Sequence, residues 1–437
     1  MTARARLRAG LTGGPLADVN FRLLTGGQLT STVGDYCYAV ALPWLVLSGR
    51  GGPALLGIVL ACYGVPRVLA LPAGGVLADK LGPRRVMLGA DVVRAIMAGL
   101  LILVAAHHVT ALAVLGPIAV VLGAGEGLFM PAASSIMPSL LAPDSLAAGN
   151  AINMAALEAG SVLGPVLGGV LVAAAGSVPA FAVDAASFAV SAVTLAFMRL
   201  SRAAVSAPGT AGNAETEGAA QPAGAAGAPP ASLWQFVRRE RLLKLIMLVT
   251  LVANFGTAGA FEVATPVLAH ARWGAGGYGA LLTCIGVGTV AGTLASAAAG
   301  RLPRPAVAAG YALLICAAGI AALPFLGGLP GAAAAALIFG VGLGFGNTVL
   351  ITLAQKWVPG ELLGRVMSLV LMCAIGLFPV TTLVTGVLVR FLGPSPFFLI
   401  AGAGLAASIL GALSQPVFRG FGATDDRPAD ELSAGVT

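Results

Sequence analysis

The chain predicts an all-α membrane protein with twelve spanning helices in two six-helix halves, and three observations carry that expectation. First, 58% of its 437 residues are hydrophobic and 9% are charged, with a mean hydropathy of +0.95. A water-soluble fold cannot bury that much apolar surface and still present a polar exterior. Second, Pro, Gly and charge cut the chain into twelve apolar stretches, each near the ~20 residues a helical crossing needs. Third, residues 200–233 turn to Ala, Gly, Pro, Ser and Thr with Glu215 and Glu217, too poor in bulky apolar groups to pack. They read as a flexible linker between two halves of six. Helices are preferred because lipid offers backbone groups no partners, and the ~10-residue alternation of a closed barrel is missing.

The elements follow in order. Residues 1–20 form a basic tail, and the first bundle, 21–199, holds crossings at about 21–48, 54–78, 86–106, 110–137, 147–174 and 179–199. After the linker, Trp234 to Lys244 sets Arg238, Arg239 and Arg241 beside Phe236, Leu242 and Leu243, the pattern of a short amphipathic helix on a leaflet surface. It opens the second bundle, 234–415, with crossings at about 242–269, 277–300, 306–326, 331–356, 364–391 and 395–415. Residues 416–437 form a second tail. With both termini inside, nineteen Lys and Arg fall in cytoplasmic segments, three in outer loops (Arg50, Arg272, Arg390) and two within helices (Arg67, Arg94). That asymmetry predicts a multi-pass protein of the cell membrane with both termini cytoplasmic.

The same composition excludes several classes. A net charge of +7 spread over many loops is a topology signal and forms no single patch for nucleic acid. No short apolar core with a cleavage site precedes the first long helix, so no removed signal peptide is expected. The five cysteines lie in different helices without CxxC spacing, as small packing residues do; no metal, disulfide or cofactor is expected. Lys80, Lys244 and Lys356 are followed by Leu, Leu and Trp, so no phosphate-binding loop is present and a nucleotide-driven engine is excluded. No enzyme signature appears, and no folded soluble output domain that would mark a membrane sensor.

Charge kept inside the crossings is the main functional signal, because a carboxylate near mid-helix costs ~2.5–3.5 kcal/mol even on lenient insertion scales. The first helix gathers Gln28, Ser31, Thr32, Asp35 and Tyr38 within about 120° of arc. Asp35 is either a coupling or substrate residue or a helix–helix hydrogen-bonding group. Glu126 stands alone in the fourth helix among Gly123, Gly125 and Gly127, which permit close packing or access to a cavity. Arg67 of the second helix can pair with Asp35 or Glu126, and these three are the candidate proton-coupling residues. Asp184 and Glu262 are further acids; Glu262 lies about 100° off the polar stripe of its helix, as a helix-contact residue would.

Between the second and third helices, Gly75, Asp79, Lys80, Gly82, Arg84 and Arg85 form GxxxDKxGxRR. This resembles the signature of major facilitator superfamily transporters, with Pro83 where the family usually carries a basic residue. The resemblance spans roughly residues 18–415 and implies the major facilitator fold, with the loop acting as a gate latch, joined by the Asp91 and Arg94 pair three residues apart. In the fifth helix Gly160, Gly164, Pro165, Gly168 and Gly169 form GxxxGPxxGG, similar to the antiporter motif of the family's drug exporters. Glycines at this spacing let another helix approach closely, and the proline permits a bend. The family's proton-coupled members often carry an arginine in the fourth helix; this chain has none there.

The fold surrounds its central cavity with the first, fourth, seventh and tenth helices. The resemblance therefore places Gln28, Thr32, Tyr38, Met130, Asn254, Thr257, Phe261, Thr348 and Thr352 at the substrate site. Pro143, Ser145, Leu146, Gly149 and Asn150 echo Pro359, Glu361, Leu362, Gly364 and Arg365 at an offset of about 216, as in a duplicated transporter. The function expected is secondary export of amphipathic small molecules (drug, antibiotic or secondary metabolite) by proton antiport, in the drug, macrolide and siderophore exporter branch. A siderophore exporter or nutrient importer shares the fold and is the nearest alternative. The partners expected are substrate, protons and lipid, and a monomer suffices.

Overall fold

The computed structural model describes residues 14–49, 51–198, 237–358 and 360–422. The expected linker and parts of both expected tails (1–13 and 423–437) lie outside these residues, as do Arg50 and Arg199. Twelve long helices cross in sequence. The first half holds α1 (Val19–Ser48), α2 (Gly52–Leu81), α3 (Pro83–Ala106), α4 (Leu112–Leu140), α5 (Pro143–Ala175) and α6 (Ser177–Phe197). The second holds α7 (Arg241–Arg272), α8 (Gly274–Ser296), α9 (Pro305–Ala322) and α10 (Gly328–Trp357). It closes with α11, in two segments (Gly360–Ile375 and Phe378–Leu392), and α12 (Pro394–Ser414). Eleven crossings are apolar throughout a membrane-length window; α1, which carries the polar stripe, is the exception. Ahead of α7, 237–239 are helical and Glu240 is extended.

Local chemistry explains the ends. Asp18 caps α1 by accepting hydrogen bonds from the Asn20 and Phe21 amides at 2.7 and 3.0 Å. Gly82, at φ +85°, makes the α2–α3 turn in a conformation that side chains resist. Pro83 then occupies the first turn of α3, where no amide hydrogen is needed; this accounts for the departure from the family pattern. In α7, a π-helical turn spans Ala260–Ala264. Pro266 follows it, and a proline cannot supply the usual hydrogen bond to the preceding turn.

The halves repeat one packing scheme: α1 lies on α6 as α7 lies on α12, α2 on α4 as α8 on α10, and α3 on α6 as α9 on α12. Between the halves, α2 runs along α11 and α5 along α8. At one end of the molecule these seams are tight. A Cβ on Gly57 would lie 3.0 Å from the Gly386 Cα, and one on Gly169 3.0 Å from the Gly279 Cα. There Val263, Ala269, Ala275 and Tyr278 of the second half join the buried cluster of Leu42, Leu56 and Phe181 of the first. Trp44 meets His270 at 4.6 Å between ring centroids, and the His270 ring lies 3.5 Å from the Ser48 hydroxyl. At the other end the core of Phe21, Met87, Ile136 and Met137 includes no residue of the second half, and a Cβ on Gly75 would meet nothing. Outward, Leu69, Phe197, Leu294 and Phe391 are exposed, a surface suited to lipid.

Candidate functional site

Between the splayed halves lies a cavity of about 1930 Å³ that reaches Pro143 and Asp144 at the start of α5 and Gln355 near the end of α10. It therefore opens at the end that carries the α2–α3 turn. The α1 stripe lines it as a unit: Gln28, Ser31, Thr32, Asp35 and Tyr38 all face in.

Asp35 accepts a hydrogen bond from Arg94 Nη2 at 2.6 Å. Its side chain is 42% exposed, whereas that of Arg94 is 4% exposed. Behind this pair, Asp91 Oδ1 stands 3.9 Å from Arg94 Nη1, and Asp91 Oδ2 accepts from the Ser191 hydroxyl of α6 at 2.6 Å. The guanidinium lies 4.0 Å from the centre of the Phe188 ring, within cation–π range. Asp184, also on α6, is buried with Oδ1 lacking a hydrogen-bond partner; its backbone abuts α1 where Gly34 has no side chain.

The sequence reading grouped Asp91 and Arg94 with the gate loop, and the structure sets them elsewhere. Arg94 lies eleven residues into α3, a rise of roughly 16 Å, which carries it from the membrane edge to the level of Asp35. In the loop itself Arg84 donates to the Leu195 and Ala196 carbonyls at 2.7 Å each, closing the end of α6. Asp79, Lys80 and Arg85 are exposed.

Arg67 resolves to the second of its two possible partners. Its Nη2 stands 3.0 Å from Glu126 Oε1 and 3.6 Å from the Met130 sulfur. Gly123 and Gly127 face the carbonyls of Tyr63 and Arg67 on α2, so these small residues serve the α2–α4 contact. The guanidinium opposite Glu126 thus comes from α2, in a chain whose α4 has no arginine. On α5, Gly160, Gly164 and Gly168 receive Thr32, Tyr36 and Cys37 of α1, while Gly169 meets α8. Pro165 is buried in the same helix, and Asn150, Asn153, Glu158 and Ser161 line the cavity.

The second half departs most from expectation. Met130, from the first half, lines the cavity as expected, whereas Asn254, Thr257, Phe261, Thr348 and Thr352 are not among its lining residues. Asn254 donates to the Thr250 carbonyl at 2.9 Å, and Thr352 to that of Thr348 at 2.8 Å. Phe261 packs on Phe339 with ring centroids 4.4 Å apart. In its place Glu262 faces the cavity. A π turn spans Ala260–Ala264 around it, and α7 presents to the cavity the face about 100° from the stripe. A proline four residues after the acid is the signal that could have raised this. On α10, Gly340 and Gly344 pack on α8, while Thr348 is half-buried and Thr352 exposed, both outside the lining.

This arrangement, two six-helix halves around a charged central cavity, agrees with what known proteins show. The chain matches the Major Facilitator Superfamily over residues 24–377. It belongs to that superfamily. The superfamily's members are transporters and not enzymes, and this is a multi-pass membrane protein. Among curated relatives, the multidrug efflux pump Tap of Mycolicibacterium fortuitum is 30% identical over 200 residues, 43% of this chain and 46% of the relative. Tap of Mycobacterium tuberculosis is 29% identical over 185 residues, 41% and 44% of the two chains. The matched stretch thus spans less than half of each relative. Among solved structures, the nucleoside transporter NupG superposes with a TM-score of 0.69 at 12% identity, over 90% of this chain and 99% of that one. A bacterial homologue of the iron transporter ferroportin, in an inward-facing state, gives 0.65 at 16% identity, over 90% and 98%. These two show the shared fold.

Proposed function

We propose that this superfamily member is a proton-coupled exporter of amphipathic small molecules working by alternating access. The observation that carries the reading is the Asp35–Arg94 pair, in which the carboxylate faces the cavity and the guanidinium is enclosed behind it. A proton entering from the cavity meets Asp35 first. Protonation removes half of a charge-assisted hydrogen bond and leaves Arg94 to Asp91, which loosens α1 from α3. A ligand or proton shifts a two-state equilibrium only through such differential contacts. The Arg67–Glu126 pair, also on the cavity wall, is a second group that can respond in this way.

With the end bearing Lys80, Arg84, Arg85, Arg301 and Arg304 in the cytoplasm, as their charge favours, the cavity is open inward. In that reading Asp79, Lys80 and Arg85 are free to latch the inner ends when the halves close. Export is supported by the glycine–proline stripe of α5 and by likeness to the multidrug efflux pump Tap over two-fifths of the chain. A proton crossing ~100 mV supplies ~2.3 kcal/mol, and one pH unit adds ~1.4 kcal/mol. Together they sustain a gradient of roughly a few hundred-fold for a neutral substrate exchanged one for one.

The test is transport by inverted vesicles under an imposed pH gradient, across a panel of amphipathic compounds, with and without an uncoupler. The intact protein concentrates at least one compound in a gradient-dependent manner, and Asp35→Asn, present at equal level in the membrane, does not. Transport unchanged in the variant would remove Asp35 from the coupling step.

A further inference from the structure

We infer that Glu262 anchors the positive centre of a cationic substrate, which deepens the reading of the cavity as a transport site and rests on it. Five carboxylates and two guanidiniums line the cavity among the described residues. The two guanidiniums are already engaged, Arg94 with Asp35 at 2.6 Å and Arg67 with Glu126 at 3.0 Å. Of the remaining acids, Asp144 sits at the mouth in the first turn of α5, where the helix dipole favours it. Glu158 receives the Ser161 hydroxyl at 3.4 Å. The carboxylate of Glu262 has no hydrogen bond and no ion pair within 4.0 Å among the described residues. It is also the only charged residue that the second half contributes to the described lining.

The local structure holds Glu262 in that position. Phe261 is fixed on the opposite side by Phe339 at 4.4 Å, and the Tyr278 hydroxyl donates to the Phe261 carbonyl at 3.4 Å. Within the same π turn the next side chain, Glu262, lines the open space. Aromatic rings complete the environment: Tyr36 and Tyr63 line the wall opposite, and Phe378 lies on the same half as Glu262. A carboxylate with no ion pair within 4.0 Å among the described residues, in a cavity that these rings also line, suits a cation carried on an apolar body, through Coulomb attraction and cation–π contact. An anionic substrate would meet the excess negative charge instead.

The experiment measures equilibrium binding to the full-length protein in lipid nanodiscs, with empty discs subtracted and no pH gradient. The probes are tetraphenylphosphonium, a permanent cation, and triphenylphosphine oxide, a neutral compound of similar shape. The unaltered protein binds the cation about ten-fold more tightly than the neutral probe; Glu262→Gln reduces that preference to about three-fold or less, and Glu262→Asp keeps most of it. Unchanged affinity of Glu262→Gln for the neutral probe shows that the variant is folded. Equal affinity for the two probes in the unaltered protein, no binding of the cation, or a preference that survives in Glu262→Gln overturns the inference. Since no gradient is applied, a failure of proton coupling leaves these readings unmoved, and a failure here leaves the Asp35→Asn test standing.

Discussion

The wall of the cavity built by α1–α6 carries Asp35, Arg67, Arg94, Glu126, Asp144 and Glu158, whereas the wall built by α7–α12 contributes Glu262 alone among the described charged residues. In the first half each guanidinium on the cavity wall finds its carboxylate on another helix of the same half. Such pairs lie within one body, so in the proposed cycle they would travel together and respond to a proton within it. Glu262 has no hydrogen bond or ion pair in its own half among the described residues and faces the space between the bodies. Under the proposed mechanism, this difference gives proton chemistry to one wall and contact with cargo to the other.

The strongest way to break this contrast is Arg94→Met. It leaves Asp91, fully buried, without the cation it faces, and breaking a buried ion pair costs about 3–5 kcal/mol. The variant should unfold at a much lower temperature in detergent, and adding Asp35→Asn should recover part of the loss. The same change at Arg67 should cost about 1–2 kcal/mol, because that pair is one-fifth exposed on both sides. Equal losses at the two sites would erase the distinction between enclosed and cavity-facing charge.

A conformational test follows. Gly57→Val would press a side chain on Thr382 and Gly386 across the α2–α11 seam, disfavouring the state in which this end is shut. Labelling of a cysteine introduced at Asn150, inside the open cavity, should then slow several-fold in inverted vesicles. An unchanged rate would mean that the seam does not set the equilibrium. Glu126→Gln should weaken transport or narrow it to fewer compounds, measured as resistance across a panel; resistance equal to the parent for every compound would contradict a coupling role. The smallest effect is expected from Arg84→Ala, which loses two hydrogen bonds at the end of α6 and about 0.5–1.5 kcal/mol. Its thermal midpoint should fall slightly without a change in substrate preference.

How much of this was legible beforehand depends on the range of the signal. The crossings, the α1 stripe and the α5 glycine row were readable because each rests on the period of one helix and its neighbours in sequence. Asp35, Thr32 and Tyr38 therefore lie where their spacing put them. Arg94 was misassigned because its sequence neighbours, Asp91 and the loop, are nearer along the chain than Asp35, while helix packing reverses that order in space. Glu262 reads as a helix contact in sequence because it lies off the polar stripe of α7, and only packing decides which face of that helix meets the cavity. Asn254, Thr257, Phe261, Thr348 and Thr352 lie off the lining because the face a helix turns to the cavity is set by the helices packed around it, as Phe339 holds Phe261.

Composition and local periodicity, then, dictate that this chain lies in a membrane, crosses it as two sets of helices and keeps acids inside, since each follows from transfer energies summed along a single segment. Which acid meets which arginine, which end of the cavity is shut and which carboxylate is left without a partner depend on how helices distant in sequence are brought side by side. Pairing across 59 residues, from Asp35 to Arg94, is set by that packing, because an ion pair is decided over a few ångströms of space and helical period carries no information about the neighbouring helix.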